Sequence, residues 1–509
     1  MVILKYIRSF IMTKVLHGAI LPLEPIAEDV VETGTLPANG SPHCRPPSWP
    51  FGYMFPELQR KEYLLDESQL TVDNLRRLGR EGMKDPAENE LPEVLVPAIY
   101  TFFGQFVDHD ITREKGSSMI KLSNPTPIDP ALIPTHIVNS RSPNLDLDHV
   151  YGPDVNGEFA PRDPSDSNKL LIEKVGPGSL GPVPGKGVYN DLPRRADSSA
   201  RIGDARDDEN IVISQLHVAF LHAHNNLVND YGLSFAAARK LLTQHYQWIV
   251  LDDFLERIAE PAIVKKVRYY GPRFFNPAPR TFFMPLEFSV AAFRFGHSKV
   301  RPSYNEFNCI NRLGGLRQLF TIAHRRLPED WVIDWKAFLQ PEKRLNLPRP
   351  IDTTLTELLL ELESEQVDDT DPEGNLAIRN LLRGYILRMP TGQAVAQAMK
   401  PEGIMPLTDK QIASALREEQ LELLKESTFL EQKFLDRTPL WFYILAEAAF
   451  YSRGQHLGPV GSTIVAEVLI GVLRNSSYSI LADPHWRPTL GSTPGKFDLQ
   501  DLLKLAGVL

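Results

Sequence analysis

Two stretches near the carboxyl end constrain the fold most, PLWFYILAEAAF (439–450) and LGPVGSTIVAEVLIGVL (457–473). Both read as mostly apolar helices, and such helices must lie inside a body that covers them from several sides. No run in the chain approaches the ~18 apolar residues of a membrane span, so that cover is protein and not lipid. With 42% hydrophobic and 23% charged residues, the chain has apolar surface enough for a large core.

The rest of the chain is read as helices joined by long, stiff connections, as 42 prolines in 509 residues require. A buried helix is expected over 91–112, where VLVPAIYTFFGQFV runs into Asp108-His109-Asp110. Further helices are expected over 209–231 and 235–258, and a compact, mostly apolar one over 287–300 (EFSVAAFRFGHSKV). ELLLELESEQ and QIASALREEQLELLKES read as amphipathic helices. Residues 20–60 and 113–200 are rich in Pro, Ser, Asp and Gly without periodicity and read as loops. No internal repeat and no strand pattern of comparable length occurs, so the chain is expected to be mainly α.

Composition excludes several classes. A net charge of −9 with pI near 5.9 argues against a nucleic-acid binder, which needs a basic face. Cys44 and Cys309 alone cannot make a disulfide framework or a sulfur-rich zinc or iron–sulfur centre. GPGSLGPVPGKG (176–187) is not a phosphate loop, because the spacing is one short and no Ser or Thr follows Lys186. The first residues, MVILKYIRSFIMTKVLHG, carry Lys5, Arg8 and Lys14 within the apolar stretch, a pattern unlike a secretory signal. They read as a surface amphipathic segment or as sequence ahead of a start at Met12.

Four constellations can carry chemistry. Gln105 and His109 stand at i and i+4, so they share one helix face, and His109 is flanked by Asp108 and Asp110. The alternative is a helix end emerging into solvent. Ser142, Asn144, Asp146 and Asp148 alternate along an extended segment and can present oxygens to one side, which with Asp110 suits calcium. Leu147 stands where an EF-hand needs its glycine, so that loop type is excluded, and a solvated acidic loop is the plainer alternative. GDARDDEN (203–210) opens the long helix, where acidic residues suit the macrodipole and Arg206 can polarise an oxygen ligand. His217, His222 and His224 follow, without an HExxH pattern, and read as hydrogen-bonded structural histidines. In Arg294-Phe295-Gly296-His297, the histidine is either a bonded core residue or a ligand to an iron macrocycle lying on the helix.

Taken together, GQFVDHDIT, DLDHVYGPD, GDARDDEN…LHVAFLHAHNNLV, EFSVAAFRFGHS and RNLLRG (379–384) resemble the animal-type haem peroxidase, or peroxidase–cyclooxygenase, superfamily in order and spacing. The resemblance spans roughly 40–490, and the segments at 439–448 and 457–473 look most like bacterial members.

That resemblance implies one haem b with His297 as the ligand to its iron and Asn380 accepting the ring's other N–H. It makes His109 the distal base, Gln105 its neighbour at the peroxide or halide site, Arg206 the distal cation and Arg294 a cofactor-binding residue. Asp108 and Glu209 match carboxylates that some relatives esterify to the haem. Asn210 replaces the Met that makes a sulfonium link in one relative, so no such link is expected. Asp110, Ser142, Asn144 (through its carbonyl), Asp146 and Asp148 take the calcium-binding positions, Asp148 standing where many relatives have Ser.

The expected activity is haem-dependent reduction of hydrogen peroxide through an oxoferryl intermediate, with oxidation of small donors such as phenols or halides. The runner-up is a fatty-acid oxygenase or peroxygenase of the same superfamily. The oxygenases carry a radical-forming Tyr three residues before the proximal His, and here that position is Arg294. A non-catalytic adhesion scaffold is a third reading, disfavoured because the catalytic set is intact and no Arg-Gly-Asp or Lys-Gly-Asp occurs. Because the site residues run from Gln105 to Asn380 and must converge, residues 41–509 are expected to form one haem domain, with 1–40 an irregular arm. Length alone would suggest about three domains. A cytoplasmic or leaderless-secreted bacterial protein is expected, and oligomeric state is left open.

Overall fold

The computed structural model describes residues 48–85, 94–115, 118–154, 156–185, 189–277, 281–339, 346–361 and 374–509. The expected N-terminal arm, the stretch 1–18 and Cys44 lie outside them, as does most of the second half of ELLLELESEQ.

The architecture is mainly α. Six helices position the site: α1 (Ile99–Ile111), α2 (Ile211–Tyr231), α3 (Phe235–Trp248), α4 (Leu376–Ile386), α5 (Leu440–Ser452) and α6 (Pro459–Asn475). The two helices expected to be buried are so: α5 from Leu440 to Ala448, and α6 from Val460 to Leu473. A hydrophobic cluster links Phe51 near one end of the described chain to Ala506 near the other.

β structure is slight. Strands β1 (Trp49–Gly52), β2 (Glu114–Lys115), β3 (Val138–Asn139) and β4 (Met284–Pro285) form one small sheet in the order β2-β3-β1-β4. Trp49 pairs with Asn139 antiparallel and Phe51 with Met284 parallel. This sheet ties the segment after α1 to the segment entering 287–299. Among its described residues, the region 113–200 is otherwise loops, two-stranded ribbons and short helical turns at 130–136 and 148–151.

Three elements differ from the sequence reading. Helix α1 begins at Ile99 and not near 91, because Pro97 disfavours helical backbone at the residue before it. QIASALREEQLELLKES is broken into Asp409–Ser414, Glu418–Leu424 and Ser427–Glu431. The break at Arg417 is held by buried Gln420, which accepts from Arg417 N at 3.1 Å and Thr353 Oγ1 at 3.0 Å, and donates to Gly82 O at 2.6 Å.

The third difference matters for function. The expected helix 287–300 is a π-helical turn over Glu287–Ala291 followed by a 3₁₀ helix over Ala292–Lys299. The junction is Ala291, at φ −125° and ψ −71°. With three residues per turn, Arg294 and His297 eclipse one another and project to the same side, which an α-helix would not achieve as closely.

Candidate active site

One wall of the site is built by α1 and the segment 204–210. Asp204 caps the 3₁₀ turn Ala205–Asp208 by accepting from Arg206 N, and Asn210 caps α2 by accepting from Ile213 N. The long helix therefore starts at Ile211, two residues later than expected, and the acidic run forms a turn folded against α1. Phe106 of α1 stacks on Phe220 of α2 at 4.5 Å between centroids, which locks the two helices together.

The charges on this wall are buried and paired. Asp204 receives Arg206 through Nε at 3.1 Å and Nη2 at 2.9 Å, and Arg141 Nε at 3.0 Å, with Arg113 Nη1 at 3.6 Å. Burial opposes ionisation of Asp204, yet the guanidiniums of Arg113, Arg206 and Arg141 hold its carboxyl well below the usual range. Arg206 also donates to Thr112 O at 2.6 Å and His109 O at 3.3 Å, so it pins the end of α1. Asp108 accepts from Thr112 Oγ1 at 2.7 Å and from Arg294 Nη1 at 3.4 Å, and Arg206 Nη1 lies 4.0 Å from it. Gln105 donates to Glu209 and accepts from Asn210 Nδ2 at 3.4 Å.

His109 is fully buried and donates from Nδ1 to Asp207 Oδ1 at 2.7 Å. The other Asp207 oxygen accepts from His217 Nδ1 at 2.6 Å and lies 3.8 Å from His149 Nε2. His149 in turn donates from Nδ1 to Asp110 Oδ1 at 3.1 Å. Burial pushes the Asp207 carboxyl up to about 7, against the pull of His149, and pushes the His149 and His217 imidazoles down to about 3. These imidazoles are therefore neutral, and with the proton on Nδ1 each donates to the carboxyl beside it.

The facing wall is the 3₁₀ helix 292–299, which packs against α1 and α5. Its charge is sparse. His297 is 7% exposed, with the indole of Trp441 edge-on at 6.3 Å and 77°. Arg294 donates from Nε to Ser289 O at 2.7 Å, while its carbonyl accepts from Trp441 Nε1 at 3.3 Å. Asn380, on α4, lies beside the His297 ring as expected, but presents the opposite end of its amide. Its nitrogen, not its oxygen, faces Nδ1 at 3.2 Å, and the same nitrogen donates to Leu376 O at 2.7 Å. The carbonyl one turn back on α4 draws the amide this way. A ring with its proton on Nδ1 needs the amide turned over, a change that keeps the shape of the side chain.

The expected cation ligands come together in part. Asp110 accepts from Asp148 N at 2.7 Å and Leu147 N at 3.3 Å, and Ser142 Oγ reaches both oxygens of Asp146 at 3.3 Å. Leu147 takes a left-handed backbone (φ 58°) and is fully buried, which folds the loop inward beneath α1. Burial and the Asp148 charge raise the carboxyls of both Asp110 and Asp146. Asp148 lies 3.4 Å from Arg141 Nη1. The Asn144 amide is better placed with its nitrogen donating to Pro143 O and Asn475 O, which leaves its own carbonyl as the candidate ligand. Among the described residues no three His, Cys, Asp or Glu side chains are arranged around a common point as a bound metal would hold them.

Several site residues escape the sequence reading. Asp207 reads there as a macrodipole partner and His217 as a structural histidine, yet both join the His109 network. Arg383, three positions after Asn380 on α4, is half-buried against Glu114, and desolvation lowers its pKa to about 10 against the pull of Asp108. Its i+3 spacing from Asn380 within RNLLRG is the signal that could have found it. His222 and His224 are satisfied elsewhere, by Asn190 Oδ1 at 3.1 Å and by Tyr151 OH at 2.9 Å with Asn168 O at 3.0 Å.

Residues 121–338 match the family model for the animal haem peroxidase. That stretch holds Arg206, Glu209, Arg294 and His297, while α1 and Asn380 flank it. A peroxidase-like protein of Margaritifera margaritifera is 30% identical over 184 residues, 33% of this chain and 22% of its own length. Thyroid peroxidase of Rattus norvegicus is 28% identical over 202 residues, 36% of this chain and 21% of its own. The match thus spans about a fifth of these curated relatives. In fold, the chain resembles the fatty acid α-dioxygenase of Arabidopsis thaliana, with TM-score 0.52, 15% identity, and 85% and 72% of the two chains covered. By the family match and these relatives, the central part of the chain is similar to animal haem peroxidases.

Proposed function

We propose that this protein is a haem peroxidase that reduces hydrogen peroxide and oxidises small donors such as phenols or halides. The observation that carries the reading is the pairing of two unlike walls. His109, Gln105 and Arg206 stand on one, and His297, with Asn380 at its Nδ1, stands on the packed element opposite.

The donor set fits a haem. His297 would hold it through Nε2 once Nδ1 carries the proton toward a turned Asn380 amide. Arg294 would hold its periphery, and Asp108 and Glu209 are the carboxylates available for ester links. When bound, the haem supplies an iron centre able to accept a peroxide oxygen and two oxidising equivalents. His109, with its proton on Nδ1, offers Nε2 as general base to the peroxide and returns that proton to the departing oxygen. Arg206 stabilises the negative charge that develops on that oxygen, and its bonds to Asp204 and Thr112 fix it in place beforehand. Calcium at Asp110, Ser142, Asn144, Asp146 and Asp148 would relieve the mutual repulsion of buried Asp110 and half-buried Asp146 and Asp148, and hold the end of α1. Residues 41–509 act as one haem domain in this reading.

Arg294, which is engaged with Ser289 and Asp108, favours the peroxidase over a tyrosyl-radical oxygenase. No described helix is long and apolar enough to cross a membrane.

The test is the visible spectrum of the haem-loaded protein before and after one equivalent of peroxide. A change within seconds that a phenol or iodide reverses is expected, as is loss of the haem band in His297→Ala. A haem band indifferent to peroxide overturns the reading.

A further inference from the structure

Behind His109 lies a buried group that the function above does not use. Asp207 is fully buried, as are His109, His149 and His217, and none of the four reaches solvent. Its two oxygens take two ring N–H groups, from His109 at 2.7 Å and His217 at 2.6 Å. His217 belongs to α2 and its ring packs against Phe106 of α1 at 6.3 Å, on the far side of Asp207 from His109. Asp207 itself sits in the 3₁₀ turn capped by Asp204. The carboxylate is thus gripped from both sides by side chains that cannot move independently of the helix packing.

We propose that Asp207, braced by His217, is the positioning residue for His109: it fixes both the rotation of the ring and the tautomer with its proton on Nδ1. The inference rests on the peroxidase reading for its consequence, but not for its geometry. An imidazole alone has two tautomers and a freely turning Cβ–Cγ bond. A carboxylate at Nδ1 selects the tautomer whose Nε2 carries no proton, the form a general base needs. His217 plays no part in proton transfer. It occupies the second oxygen, so that Asp207 cannot rotate away from His109.

Histidine-selective ¹⁵N labelling tests the geometry in the protein without haem. Exchange-protected far-downfield imidazole N–H protons are expected for His109 and His217, beside that of His149 on Asp110. The His109 and His217 signals both vanish in Asp207→Ala, while His217→Phe, which suits the aromatic surroundings, removes its own and keeps that of His109. Persistence of both signals in Asp207→Ala, or their absence from the parent protein, overturns the proposal. With haem loaded, Asp207→Ala should slow the spectral response to peroxide by about 10²-fold, and His217→Phe by less, with the haem band of both intact. Equal rates for parent and Asp207→Ala would also overturn it. If the parent protein itself fails to respond to peroxide, the peroxidase reading falls, and the labelling result still decides the Asp207–His109 contact.

Discussion

The two walls of the site are built on opposite principles. On the α1 side almost every functional side chain is held by a charge: Asp204 gathers Arg113, Arg141 and Arg206, Asp207 joins His109 to His217, and Asp108 links Arg294 with Arg206. On the 292–299 side, His297 meets the Asn380 amide and the edge of the Trp441 indole. The proposed function gives the difference a reason in what each wall would do. A base and a cation that act on a developing charge need fixed orientation, and a buried hydrogen-bonded network supplies it without reorganisation. A ligand to a metal is oriented by the metal itself and needs only one partner.

If that contrast holds, the ionic wall should be fragile as a unit. Asp204→Ala leaves three buried guanidiniums without their shared carboxylate, and a loss of about 3–5 kcal/mol in denaturant unfolding is expected. A loss under about 1 kcal/mol would mean that the wall is held by packing after all. Arg206→Ala is the milder cut, because Asp204 keeps two partners. It should slow peroxide cleavage by ~10² or more with haem still bound, read by rapid-mixing spectroscopy. An unchanged rate would remove Arg206 from the chemistry and leave it as a strut for α1.

The last effect lies away from both walls and shows what burial does to a carboxyl held by backbone N–H groups. Glu447 of α5 accepts from Val460 N at 2.9 Å and Gly461 N at 3.3 Å at the start of α6, and burial pushes its carboxyl up to about 8. Its value in the unfolded chain is about 4.3, so the folded state holds the proton more tightly. Its contribution is full below about pH 4 and is lost as pH rises through 8. Glu447→Gln should therefore flatten the fall of Tm between about pH 5 and 8 relative to the parent. An unchanged profile would mean that Glu447 ionises as it does in water.

Much of this was legible in the linear chain, for reasons of period. Gln105 and His109 share a face because a helix repeats every 3.6 residues, and the apolar runs of α5 and α6 left them nowhere to go but inside. The spacing of Arg294 and His297, and the resemblance carried by five short segments, named the residues that the proposed function uses. Long-range pairing was not legible. Nothing in GDARDDEN distinguishes Asp207, which takes His109 from 98 positions away, from Asp208, which turns to Arg194. Their divergence depends on the 3₁₀ turn that Asp204 caps, and a capped turn aims successive side chains in directions that no local pattern encodes. The π-to-3₁₀ change at Ala291 is of the same kind. The residues 287–300 favour a helix, but which helix was decided by the elements packed around it. The direction of the Asn380 amide was likewise set by Leu376 O on its own helix. Sequence by itself determined which residue types lie on which faces, because that follows from backbone period and burial. Tertiary structure alone decided which charge meets which, because in a dry interior each buried ion must find a partner, and the nearest one is seldom near in sequence.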